Sequence, residues 1–183
     1  MGLLPTDLEG LGILDIACGF GSWGYQIRVL KEGSPFILGL DIWKPYVRKT
    51  SKLGIYDGTI VADARFLPFR SNAFDIIVAC EILEHLNGKD GLRLIQEMER
   101  VCRIKAVVST PLGFRRQKEI DGNPHQKHLL GWQTNDLDRL GYETRVVYST
   151  RLPRTLMIVD RIRRAIFNLH EPKEIVAWKT VAR

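Results

Sequence analysis

The chain has 183 residues, 45% hydrophobic and 26% charged, with a formal net charge of +6. This predicts a single globular domain over 1–183 with enough apolar side chains for a core, and it excludes a disordered chain. No apolar run approaches the roughly 20 residues of a membrane-spanning helix. The opening MGLLPTDLEG lacks the basic and apolar regions of a secretion signal. Cys18, Cys80 and Cys102 are odd in number and lack metal-ligand spacing, so we expect reduced, buried thiols in a cytoplasmic protein.

In chain order, short apolar runs alternate with helical patterns. Strands are expected near 12–17, 36–41, 58–62, 73–80 and 104–110, and helices near 22–31, 44–52 and 89–103. This alternation implies right-handed crossovers and a parallel sheet covered on both faces. Gly141-Tyr142 opens a sixth strand that runs through Ser149. Pro153 suits an early helical position, and Leu156, Val159, Ile162, Ile166 and Leu169 follow at helical spacing. Residues 174–181 read as a last strand. The segment 112–131 is long and polar, and long connections in compact domains are usually functional or disordered.

The densest signal is ILDIACGFG at 13–21, followed by Asp41 in FILGLDIW. A buried strand ends at Asp15, and Ala17, Gly19 and Gly21 make a tight turn that lets backbone approach a ligand. Asp41 ends the next apolar run, where such folds read ribose hydroxyls. A dinucleotide loop calls for G-x-G-x-x-G, and here those positions hold Ala17, Gly19 and Ser22. An adenosine-containing ligand is therefore expected, but not a dinucleotide.

Further motifs follow in order: VADA at 61–64 with LPF at 67–69, FDIIVAC at 74–80, EILEHL at 81–86, LIQEMERV at 94–101 and AVVSTP at 106–111. Together they resemble the class I S-adenosylmethionine-dependent methyltransferases from about residue 11 to 141. The resemblance implies an α/β, Rossmann-like, seven-stranded, mostly parallel sheet with helices on both faces and the last strand antiparallel. It also implies S-adenosylmethionine as cofactor. Ala17 replaces the family's first glycine, and only about ten residues precede the first strand, where the family often carries helices that cap the substrate pocket.

From the resemblance, Ala17, Gly19 and Gly21 approach the methionine part of the donor. Asp15 orients that loop or accepts from the donor's ammonium. Asp41 takes the ribose hydroxyls, with Ile42 and Trp43 flanking the adenine. Asp63 accepts from the adenine amino group, Ala64 donates from its backbone, and Cys80 lies near the methionine portion. His85, His128 and Glu81 are the candidate catalytic bases, and histidine suits that work best near neutral pH. Ligands of open α/β sheets bind outside the carboxyl ends of the strands, so 112–131 is expected to form the acceptor pocket or its lid.

The acceptor is expected to be a small molecule, a lipid-linked molecule or a glycan, with no metal. One alternative rests on E-x-x-E-H at 81–85, S-T-P at 109–111 and His128 four residues before Trp132. This set resembles the small-RNA 3′-terminal 2′-O-methyltransferases, where two glutamates and two histidines hold a divalent ion. Leu112 stands where those enzymes have asparagine. Asn123-Pro124-His125-Gln126 with His128 and Trp132 also resembles the lid of small bacterial and archaeal class I methyltransferases. Its plain structural reading packs Trp132 in the core and bonds His128 to a carbonyl. A second alternative is a non-catalytic S-adenosylmethionine-binding module. Residues 145–183 hold nine basic side chains against three acidic ones and so carry the whole charge excess, which suits RNA, a lipid surface or solvent. The apolar stripe from Leu156 to Leu169 suits the sheet or a homodimer contact.

Overall fold

The computed structural model describes residues 3–148 and 173–181. Seven strands form one sheet: β1 (Gly12–Ile16), β2 (Phe36–Asp41), β3 (Gly58–Val61), β4 (Phe74–Cys80), β5 (Cys102–Pro111), β6 (Glu143–Tyr148) and β7 (Lys173–Thr180). Their order is β3-β2-β1-β4-β5-β7-β6. The contacts β1–β2, β1–β4, β2–β3 and β4–β5 are parallel, and β7 is antiparallel to both β5 and β6. This is the sheet expected from the sequence. Every residue of β4 is buried, as a central strand covered on both faces requires.

The period-2 alternation of side chains sends each strand's residues into two separate clusters. Leu14 and Ile16 of β1, with Ile77 and Ala79 of β4, meet α3 (Gly88–Val101) through Leu94, Ile95 and Met98. Ile13, Ile76 and Val78 point the other way and meet Ile27 of α1 (Ser22–Leu30). α3 forms because its apolar positions share one stripe and because the Asn87 side chain accepts from the Asp90 amide at 3.0 Å, capping the N-terminus. α2 (Lys44–Thr50) begins with a proline in its first turn, where the missing N–H costs nothing.

The boundary between α3 and β5 differs from expectation. The helix ends at Val101 and the strand begins at once with the fully buried Cys102, opposite Phe74. Arg103 pairs with Asp75, whose other oxygen accepts from the Gly12 amide at 2.8 Å, so the edge of β4 draws the chain into the sheet two residues early. The short helix α4 (Thr134–Asp138) and the 3-10 turns at Leu83–His85 and Pro124–Gln126 are too brief to leave a periodic signal.

The helix expected from Pro153, with Leu156, Val159, Ile162, Ile166 and Leu169, lies outside the described residues. So do Ser149 and the arginines from Arg151 to Arg164. The three cysteines are free and buried. Among the described residues no helix is long and apolar enough to cross a membrane.

Candidate active site

The carboxyl ends of β1, β2 and β4 open onto two neighbouring cavities. One, about 260 Å³, is lined by Asp41, Ile42, Asp63 and Ala64. The other, about 520 Å³, holds Cys80, Glu84 and His128 in its wall. Ala17, Gly19, Glu81, His85 and Gln126 line both, so they mark the junction.

The loop after β1 is shaped by its own backbone. Ala17, Gly19 and Gly21 all take left-handed conformations, with φ of 57°, 51° and 85°. At φ 85° a side chain at Gly21 would be strained, and its Cβ would lie 2.8 Å from the Ile55 side-chain tip, so glycine is favoured. At Gly19 a Cβ would meet only the Ala17 carbonyl, at 3.9 Å, so the loop face is open to a ligand. Ala17 carries the cost of an L-residue in this region, of order 1 kcal/mol. Glu81, at the same junction, is also left-handed, with φ of 56°. Strain of this kind persists where surrounding structure enforces it, often at functional sites.

Asp41 is the organising group of the smaller cavity. Its Oδ2 accepts from the Gly19 amide at 2.9 Å and its Oδ1 from the Trp43 amide at 2.7 Å. Burial pushes its carboxyl upward, against those amides. Each oxygen keeps a second lone pair for a ligand hydroxyl. Asp63 faces the same space. The Arg65 guanidinium binds both its oxygens, at 3.0, 3.1 and 2.6 Å, holds the carboxyl below the usual range and also reaches Asp90 at 2.8 Å. The Ala64 backbone stands beside it at the wall.

Asp15 and Trp43 stand outside the walls of both cavities. Asp15 is 1% exposed, beneath the loop, and it accepts from the Tyr56 hydroxyl at 2.6 Å. Asp41, not Asp15, holds the loop amide. Burial raises the Asp15 carboxyl to about 7, partly offset by the Tyr56 hydrogen bond. Trp43 is not in the wall of the smaller cavity. Its ring meets the edge of His125, with centroids 6.2 Å apart, while Ile42 does line that wall. Gly21 lines neither cavity and acts through its turn.

Sequence reasoning missed Tyr56, Arg65 and the place of His125 in the wall of the smaller cavity. Tyr56 sits where side chains at Gly24 and Gly39 would lie 2.4 Å and 3.1 Å from its ring. Glycines inside a helix and a strand are the signal for such a close approach. His125 lines the smaller cavity within electrostatic reach of Asp41 and Asp63. The turn that presents it is fixed by the buried Asn123, whose side chain accepts from the His125 amide at 2.9 Å.

The larger cavity is floored by two glutamates and two histidines. Glu84 is 2% exposed, its Oε2 accepts from Thr110 Oγ1 at 2.9 Å, and burial raises its carboxyl far above the usual range. Glu81 Oε1 accepts from Ser109 Oγ at 2.8 Å. Burial lowers His85 to about 4 and also lowers His128. Both rings donate from Nδ1 to backbone carbonyls, His85 to Lys127 at 3.2 Å and His128 to Arg115 at 2.7 Å. Each Nε2 is therefore left as an acceptor. The rings meet edge to face, centroids 4.8 Å apart. His85 Nε2 and Glu84 Oε1 are 4.0 Å apart, and burial disfavours the charged form of each. Burial also raises the Cys80 thiol, which keeps it protonated and unreactive. Trp132 takes the plain structural role: it is 4% exposed and its Nε1 donates to the Leu83 carbonyl at 3.1 Å.

Acids at the ends of β2 and β3, beside an open glycine turn after β1, define a nucleoside-binding α/β domain. Residues 14–109 match the methyltransferase domain family, and the chain belongs to it. Demethylmenaquinone methyltransferase of Lactococcus lactis is 31% identical over 104 residues, 53% of this chain and 40% of that protein. Ajmaline N-methyltransferase of Rauvolfia serpentina is 27% identical over 145 residues, 75% of this chain and 47% of that protein. The chain thus spans less than half the length of either relative. An S-adenosylmethionine-dependent methyltransferase from Mesorhizobium loti shares the fold, with a TM-score of 0.68 at 16% identity over 97% of this chain and 94% of that one. S-adenosylmethionine is the cofactor of this domain, and the open loop face and the spare lone pairs of Asp41 fit it.

Proposed function

We propose that this domain transfers a methyl group from S-adenosylmethionine to a small-molecule, lipid-linked or glycan acceptor. The observation that carries the reading is the shared junction: a carboxylate-lined cavity and an imidazole-floored cavity meet at Ala17, Gly19, Glu81 and His85. Asp41 would hold the ribose hydroxyls, Asp63 and the Ala64 amide the adenine, and the loop face at Gly19 the methionine part. The cofactor supplies, when bound, a methyl group on a cationic sulfur with a neutral thioether as leaving group.

The chain's own residues then position and deprotonate. Proximity and orientation carry most of the rate gain in such a transfer. An acceptor hydroxyl in the larger cavity meets two imidazoles whose Nε2 atoms accept protons. His85, lowered to about 4, is a weak base at neutral pH. His128 is therefore the preferred base, and His85 positions it by ring contact. The test is release of S-adenosylhomocysteine with panels of hydroxylated acceptors, by wild type and His128→Ala. Turnover that survives His128→Ala at full rate would remove His128 as base.

A second reading is favoured by one observation. Among the described residues, Glu84, His85 and His128 offer ligand atoms all within 4.8 Å of one another. Carboxylate and imidazole together suit a divalent transition ion, and carbonyl-bound Nδ1 atoms are the usual support for Nε2 ligation. Such an ion would acidify a terminal ribose hydroxyl of RNA and make a base unnecessary. Glu81, the fourth residue of that pattern, is bonded to Ser109 and stands outside the group. A Mn²⁺ isotherm lost in His128→Ala would support this reading, and its absence in wild type would defeat it.

A further inference from the structure

The rim of the larger cavity has a chemistry of its own. Phe20, Ile120 and Trp23 line it and remain 44%, 43% and 36% exposed. Large apolar side chains gathered at a concave opening mark a binding surface, unlike scattered ones. Arg115 and Arg116 stand in the same wall. Lys49 adds a third cation, with Nζ 4.7 Å from the centroid of the Phe20 ring. The acids in this wall are Glu81 and Glu84, both on the floor and bonded to the Ser109 and Thr110 hydroxyls. The cavity therefore presents an apolar, cationic mouth above a floor of acceptor nitrogens.

We propose that the acceptor is an anionic amphiphile: an apolar body against Phe20, Trp23 and Ile120, a carboxylate or phosphate at Arg115 and Arg116, and its nucleophilic atom on the floor beside His85 and His128. This rests on the methyltransferase reading above. Guanidinium groups match the two oxygens of such an anion, and their bonds to it are charge-assisted. A cavity of about 520 Å³ suits a small molecule. For a hydroxylated acceptor, the oxygen gives its proton to an imidazole. The oxygen–methyl bond then forms as the sulfur–methyl bond breaks, and the electron pair of that bond returns to sulfur. An RNA terminus would use the cations and stack its bases on Phe20 and Trp23, so the discriminating probe is one with an aliphatic body.

The test is calorimetric titration with dodecyl phosphate, dodecyl maltoside and inorganic phosphate, each below any micelle concentration. Phosphatidylglycerol vesicles form a separate sedimentation arm. Wild type, Arg116→Ala, Arg116→Lys and Trp23→Ala are compared, with thermal melting as the check on folding. Dodecyl phosphate is expected to bind one site at least about tenfold more tightly than either control. Arg116→Ala and Trp23→Ala should each lose most of that preference, and Arg116→Lys should keep part of it. Equal binding of the two dodecyl compounds would overturn the anion subsite. Inorganic phosphate binding as tightly as dodecyl phosphate would overturn the apolar one. Binding to vesicles without binding to the monomeric amphiphile would make the rim a membrane contact and defeat the proposal. S-adenosylmethionine affinity is measured in parallel. A wild type that binds amphiphile but no cofactor would sink the methyltransferase reading and not this subsite.

Discussion

The two cavities meet at the same loop yet are built in opposite ways. The smaller one is made from strand ends: Asp41 closes β2 and Asp63 follows β3. Their carboxylates are fixed by the amides of Gly19 and Trp43 and by Arg65. The larger one takes Arg115, Arg116, Gln117, Ile120, Gln126 and His128 from the one long segment after β5. The first is set mainly by the sheet, with Asn123, His125, Gln126 and Leu129 of the long segment closing it. Changes in the long segment at Arg115, Arg116, Ile120 and His128 touch the second cavity, whereas changes at His125 reach the first.

The largest expected effect lies beneath the strand-end site. The Asp15 carboxyl is raised from 3.8 to about 7, so the folded state binds a proton that the unfolded state releases. Stability should therefore fall as pH rises from about 4 to about 7, by up to about 4 kcal/mol. Asp15→Asn should remove that slope while still accepting from Tyr56. Chemical denaturation across pH checks it, and an unchanged slope would exclude Asp15 as its source. Next, Asp41→Ala should weaken S-adenosylmethionine binding about a hundredfold, or near 3 kcal/mol, because it strands two amides as well as the ribose hydroxyls.

The loop side should respond differently. A Cβ at Gly91 would lie 2.5 Å from Trp132, which anchors the end of the loop to α3 and the Leu83 carbonyl. Gly91→Ala should cost about 1–3 kcal/mol of stability by overpacking, yet leave cofactor affinity within about twofold, since additivity holds for independent sites. A large loss of cofactor affinity in that variant would mean the two cavities are not separable. His125→Ala should weaken the cofactor by only about fivefold, because His125 covers the strand-end site from the loop without bonding Asp41 or Asp63 directly. The same calorimetry measures it, and no change would place His125 outside the cofactor's reach.

The contrast also explains what could be read from the sequence. The strands, and the placement of Asp41 and Asp63 at strand ends in one cavity wall, were legible because an apolar run followed by an acid is a local pattern. The strain at Ala17 was not, since nothing local separates a tolerated alanine from a left-handed one. Tyr56 comes from a loop outside the motifs, Arg65 lies between VADA and LPF, and His125 sits in the lid-like motif, but the contacts of all three depend on tertiary packing. The Tyr56 partner of Asp15 was not legible, because the pleat that turns Asp15 toward it is not specified by the motif. The separate fates of His128 and Trp132 likewise depend on where the loop crosses α3, which no spacing encodes.

The central claim is that Asp41 and the loop it holds form the S-adenosylmethionine site. Calorimetric titration of S-adenosylmethionine into wild type and Asp41→Ala, both shown folded by thermal melting, tests it most directly. The account predicts one-site binding in wild type and its near loss in the variant. No binding to wild type, or equal affinity in both proteins, would contradict it.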